Sequence, residues 1–404
     1  MILGVFPSES PFRVDQVMAA PWLLGGLFLI QLLLAAAVSW SARARNRRFW
    51  WMSISVLLMS IAVFFTLACW GTSDITKLNF YFDPARASGP SLQELLPSEP
   101  AWWLLAPWII HLPYRMAAVH GLLVAAYASV AVFLARTWRQ PAWAGWWALL
   151  LVSSPMLRGF FQNAHSRQAL ASFLAVPLLL WSLRVIRWKP GLILGAAGLA
   201  LGMHVSAAPT LLLALMPACP AIISGLRRSK RLVLVLGLLV ACVVAFLLWS
   251  PLMAKFQAYA GFGFFSTYLI KPQVLRNELL IVGSIVVLWL RQRFSWQELW
   301  SQREGFALIT YLLLFFGLQG SLLWQWFPQL TFRFGDTVGC FLLISFIAWL
   351  HRRNALIFLL PLLALNLVVW TDRVFWPEGL DCGRDDDFLC VPDRWPWSIR
   401  YPVR

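Results

Sequence analysis

The sequence predicts an all-helical bundle that crosses a membrane about twelve times (ten to thirteen), built as one integral domain over residues 1–404. Three observations predict it. Hydrophobic residues make up 60% of the chain and charged residues 12%, about half the roughly 25% charge of an average soluble protein. The apolar residues come in runs of about 17 to 25, the length at which a helix crosses the hydrocarbon layer with its backbone hydrogen bonds made internally. The basic residues fall in short clusters between those runs. Mean hydropathy is +0.70.

Taken in order, the predicted spans lie near residues 20–40, 50–70, 116–135, 142–158, 167–183, 191–203, 205–224, 232–250, 278–290, 305–323, 335–350 and 354–371. The first run follows Arg13 and Asp15 and precedes a dense basic patch, so it reads as a retained span rather than a cleaved leader. The stretch from Gly191 to Ser224 is too long for one span, and Gly202 to Pro209 is the place for it to break. Residues 101–112 are apolar but carry Pro107, with Pro113 just beyond, and are too short to cross and return. They predict a Trp-rich interfacial helix within an external loop over 71–115.

Six basic clusters set the orientation. They contain Arg43 to Arg48, Arg136 and Arg139, Arg184 to Lys189, Arg227 to Arg231, Arg291 to Arg303, and Arg352 and Arg353. With twelve spans all six fall on one side, which the excess of Lys and Arg in cytoplasmic loops assigns to the cytoplasm. Of 17 acidic residues only Glu298 and Glu304 share that side. The net charge of +16 therefore reports membrane topology, and a nucleic-acid partner is rejected. The long connections, 71–115, 251–277 and the tail 372–404, are all expected outside, where function concentrates on loops held by a rigid scaffold.

Cysteine is sparse. Cys382 and Cys390, in the polar tail, would pair only if that tail faces an oxidising compartment. No His/Cys cluster offers a metal site, and none is expected.

The external side gathers four sets of polar residues. The first loop supplies Asp74 and Glu99, carboxylates able to serve as a general base or to orient a hydroxyl, although acids populate any external loop. The segment RGFFQNAHSRQ supplies Arg158, Asn163, Arg167 and Gln168 at the start of a helix. There a guanidinium fork and free helix N–H groups suit a phosphate, and equally a lipid headgroup. His204 and Ser206 lie in an apolar run, where an ionisable residue is a functional candidate and a structural hydrogen bond is its rival. Arg333 and Asp336 form the fourth set, as a structural pair or as a further anion ligand. Tyr268, in an aromatic and glycine-rich loop, suits a sugar ring as well as an interfacial anchor.

These segments resemble, in order, the EpsG-like family of Wzy-type polysaccharide polymerases. GTSD with Tyr81 seven residues on, Glu99-Pro100 before an aromatic helix, Asn163 with Arg167-Gln168 and Ala171, and His204-Val205-Ser206-Ala207 carry the resemblance. It runs from about Gly71 to Leu215 and more loosely to Arg333. The insertion between Phe82 and Glu99 and the acidic tail depart from it. The resemblance implies a GT-C-like glycosyltransferase of the bacterial cytoplasmic membrane, with its active site facing outward and no metal or cofactor. It would join undecaprenyl-diphosphate-linked repeat units into an exopolysaccharide or O-antigen-type chain, alongside other polysaccharide-assembly proteins. It implies Asp74, Glu99 and His204 as catalytic residues. Arg158, Asn163, Arg167, Gln168, Ser206, Tyr268 and Arg333 would bind substrate. An O-antigen ligase, a polyprenyl-phosphate sugar transferase and a lipid-linked sugar flippase stay open as alternatives. A flippase often shows two related halves, and no internal repeat is present.

Overall fold

The computed structural model describes residues 14–69, 99–161, 166–204, 206–220, 272–320 and 328–375. Among them every regular element is a helix: α1 (Val14–Arg43), α2 (Arg47–Cys69), α3 (Pro100–Ile109), α4 (Met116–Thr137), α5 (Ala144–Ser153), α6 (Arg158–Phe161), α7 (Ser166–Ser182), α8 (Pro190–Met203), α9 (Ala207–Leu215), α10 (Pro272–Gln292), α11 (Trp296–Ser301), α12 (Arg303–Gly320), α13 (Pro328–Arg352) and α14 (Leu359–Phe375). Among the described residues, four segments are long and apolar enough to cross a membrane: Leu23–Arg43, Arg47–Ala68, Met116–Thr137 and Phe334–Arg352. The protein is a helical, membrane-embedded protein.

The predicted runs fall on these helices, with two shifts. α10 reaches back to Pro272, so the end of the loop expected over 251–277 is helical. α14 runs to Phe375, into the expected tail. The run near 232–250 and the two tail cysteines lie outside the described residues.

Four helices end in the same way. Arg45, Arg139, Arg184 and Asn354 each adopt φ between 53° and 60° just past a helix. Each donates its N–H three residues back (Arg139 to Arg136 O at 3.1 Å, Arg184 to Trp181 O at 2.9 Å), and the next N–H bonds five back (Gln140 to Ala135 O, Val185 to Leu180 O). This double closure satisfies carbonyls that the helix leaves open, and glycine is its usual residue. Here the position falls inside basic clusters. Three of the four helix ends gain a guanidinium beside the partial negative charge of their last carbonyls.

The chain forms two compact units. Unit 1 comprises 1–95, 103–166 and 363–404; unit 2 comprises 96–102 and 167–362. In unit 1, α2 packs on α4 with almost no space at Gly121, where a Cβ would run into the Ala62 carbonyl and the Thr66 hydroxyl. Similarly, a Cβ at Gly145 of α5 would lie 2.8 Å from the Ala35 Cα of α1. Membrane helices associate through such small residues because lipid gives no hydrophobic drive between them. Indole N–H groups complete the contact, Trp50 to Pro141 O at 3.1 Å and Trp146 to Ser39 Oγ at 2.9 Å.

In unit 2, hydrogen bonds define the ends of the helices. Arg303, opening α12, donates to Ser182 O at the end of α7 at 2.7 Å. Arg352, ending α13, donates to Glu304 at 2.8 Å. Gln292, ending α10, donates to Arg353 O at 3.1 Å. Arg353 in turn reaches Glu298 at 2.9 Å and stacks on Phe294, 4.5 Å from the ring centre. Burial and the neighbouring Arg184 lower the pKa of the Arg303 guanidinium. The last turns of α7, α10 and α13 therefore meet at one end of the unit. Ser172 Oγ and Thr337 Oγ1, 3.0 Å apart, join α7 to α13 nearer their starts.

Candidate functional site

The starts of those helices hold the polar residues. At about 1.5 Å per residue, Arg167 stands about 22 Å from Ser182, and Asp336 about 24 Å from Arg352. One helical turn ahead of Ser172 lies Gln168, and one turn ahead of Thr337 lies Arg333. The Ser172–Thr337 bond thus brings those two backbone positions to a common level.

Glu99 is fully buried and stands just before α3, where its carbonyl accepts the Trp102 N–H at 3.1 Å. Trp102, also fully buried, donates its indole N–H to Met203 O at 2.7 Å. That bond ties the start of α3 to the end of α8, one residue ahead of His204. Here the long apolar run breaks: His204 is extended (φ −160°, ψ 142°), and α9 starts at Ala207. The predicted break therefore falls between the two short helices, and it frees the His204 side chain to face inward.

The result is a compact cluster within unit 2. Arg167 Nη1 donates to Glu99 Oε2 at 2.5 Å, and His204 Nε2 lies 3.7 Å from Glu99 Oε1. The Ser206 backbone N–H donates to His204 Nδ1 at 3.1 Å, and Ser206 Oγ is 2.6 Å from the same nitrogen. A nitrogen that accepts from a backbone N–H carries no proton of its own. In the neutral ring the proton therefore sits on Nε2, the nitrogen facing Glu99. The Arg167 side chain keeps 24% of its surface exposed while Glu99 keeps none. One ion of the pair can meet a ligand and the other orients it.

Of the residues singled out in the sequence, Glu99, Arg167, His204 and Ser206 come together, with Gln168 buried beside Arg167 in the chain. Arg158 lies in α6 and Arg333 in α13. Asp74, Asn163 and Tyr268 lie outside the described residues.

A buried histidine in unit 1 escaped the sequence reading. His120 on α4 is fully buried, with Nε2 3.0 Å from Phe161 O and Nδ1 3.0 Å from Ser166 Oγ. A carbonyl only accepts, so Nε2 carries the proton and Ser166 donates to Nδ1. The signal was available: an ionisable residue in an apolar run, the same argument that selected His204.

No family model, no curated protein and no solved structure matches this chain.

Proposed function

We propose that the chain is a GT-C-like membrane glycosyltransferase of about twelve spans. It would polymerise undecaprenyl-diphosphate-linked repeat units at the outer face of the bacterial cytoplasmic membrane. One observation carries the reading: Arg167, Glu99 and His204, from three separate segments that bear the EpsG-like resemblance, meet in one cluster. The end-to-end polarity of unit 2 fits, with Arg303, Arg352 and Arg353 gathered at the opposite, basic end.

In the reaction the acceptor hydroxyl oxygen attacks the anomeric carbon of the donor chain. The bond from that carbon to the diphosphate oxygen breaks, and its electron pair leaves with undecaprenyl diphosphate. The hydroxyl proton passes to a base. A fixed guanidinium in a water-poor site stabilises the charge that develops on the diphosphate, and Arg167 has this role; the family resemblance assigns Arg333 and Arg158 to the same substrate. Glu99, buried and bound to Arg167, positions that guanidinium. Asp74 then becomes the base for the acceptor hydroxyl, with the His204 Nε2–H directed at the same cluster.

The test is replacement of Arg167 by Ala in the native host. Polymer should disappear while single lipid-linked repeat units accumulate and the protein stays in the membrane. Full-length polymer from that variant would refute the diphosphate role. Loss of lipid-linked units from the outer leaflet would favour a flippase, and polymer that forms but is not attached to its final acceptor would favour a ligase.

A further inference from the structure

The mechanism leaves two buried polar side chains of unit 2 unused, Asn277 and Glu278 in the second turn of α10. They are 0% and 1% exposed. Neither Nδ2 nor Oδ1 of Asn277 has a hydrogen-bond partner among the described residues, and the same is true of Glu278 Oε1. They head the buried face of α10, which continues through Ile281, Ile285 and Leu288, while Leu279, Val286 and Leu290 are exposed. Leaving such a buried group unpaired is costly, and the other buried polar side chain on this face, Ser284, meets its need by donating to Leu280 O. Two adjacent groups in that state point to a ligand that completes them.

Their place on α10 bears on which ligand. At about 1.5 Å per residue, Asn277 and Glu278 stand about 21–22 Å along α10 from Gln292, away from the basic end where Gln292 meets Arg353.

The donor set narrows the chemistry. One amide and one carboxyl fall short of the six to eight oxygens a calcium ion takes, and no third His, Cys, Asp or Glu completes a metal group among the described residues. A carboxyl group repels a phosphate. An amide with an adjacent carboxyl does suit neighbouring sugar hydroxyls, each of which donates and accepts.

We infer that Asn277 and Glu278 form a hydroxyl-binding subsite for the sugar portion of the lipid-linked substrate. The inference rests on the function proposed above, and the two can fail separately. Purified full-length chain in nanodiscs is titrated with undecaprenyl diphosphate alone and with the lipid-linked repeat unit that accumulates in a polymer-deficient host. Wild type should bind the sugar-bearing lipid more tightly. Asn277→Leu and Glu278→Gln should each weaken it about tenfold and leave undecaprenyl diphosphate binding unchanged. Leu in place of an unpartnered Asn favours folding, and Gln preserves shape, so loss of fold does not confuse the result. Equal affinity of wild type and both variants for the sugar-bearing lipid would overturn the subsite. Unchanged undecaprenyl diphosphate binding in Arg167→Ala, which removes the charge, would instead overturn the proposed function.

Discussion

Arg167 and Glu99 are 68 residues apart in the chain and 2.5 Å apart at their charged atoms. The pair fixes a guanidinium at the first turn of α7 with part of its surface open. Removing one member of such a pair strands a charge, at about 3–5 kcal/mol. Arg167→Ala therefore mixes lost function with lost stability. Arg167→Lys keeps the charge and loses the fork. We expect it to retain most of the thermal stability in detergent while polymer yield falls at least tenfold. Equal activity of Lys and Arg would show that charge alone suffices.

The two carboxylates should respond differently. Asp74→Asn removes the proposed base and should cost about 100-fold or more in rate, within the usual range for general base catalysis. Glu99→Gln leaves an acceptor for Arg167 and should weaken diphosphate binding about tenfold, with a smaller loss at saturating substrate. Kinetics on the lipid-linked repeat unit decide it. Equal, mild losses would give both residues a structural role.

The sequence reading reached the helices because apolar run length and basic punctuation are strong, local signals. It found Glu99, Arg167 and His204 as chemistry in apolar or external surroundings. Only the resemblance grouped them in one site, since contact between the start of α3, α7 and the break after α8 depends on packing, for instance the Trp102 bond to Met203 O. Asn277 was legible only as a loop residue, because the polar run Arg276, Asn277 and Glu278 in the second turn of α10 looks like the end of a loop. The Arg residues at left-handed helix ends were likewise hidden, since glycine is the familiar marker of that geometry.

Those helix ends can be tested. Arg139 at φ 57° carries the strain of a side chain in the left-handed region, about 1 kcal/mol relative to glycine. Arg139→Gly should leave activity intact and raise the thermal midpoint slightly, since relief of strain outweighs the loss of one screened charge at the helix end. A clear fall in the midpoint would show that the guanidinium contributes more than the backbone strain costs.

His120 offers a test within unit 1 that separates its two hydrogen bonds. Asn can replace the Nδ1 position, which accepts from Ser166, while Gln reaches to the Nε2 position, which donates to Phe161 O. Leu replaces neither and should cost about 2–4 kcal/mol, since each bond lost in a buried site is worth about 1 kcal/mol or more. If the Ser166 bond matters more, Asn restores stability and Gln does not. The reverse order assigns the main role to the Phe161 carbonyl, and no rescue by either would show that ring packing against Phe65 dominates.

Gly121 gives the sharpest structural prediction. A methyl group there meets the Ala62 carbonyl, which is backbone of α2, together with the Thr66 side chain. Thr66 can rotate, but its hydroxyl already donates to that same carbonyl at 2.8 Å, so moving it frees one oxygen without moving the other. Gly121→Ala must push α4 away from α2, and overpacking of this kind costs about 1–3 kcal/mol. We expect a lower thermal midpoint and less protein recovered from the membrane. Thr66→Ala alone should be nearly neutral, and the double variant Thr66→Ala, Gly121→Ala should recover only part of the loss, because the carbonyl remains. Full recovery would place the obstacle in the side chain, and an unperturbed Gly121→Ala would mean that the two helices lie farther apart than the structure has them.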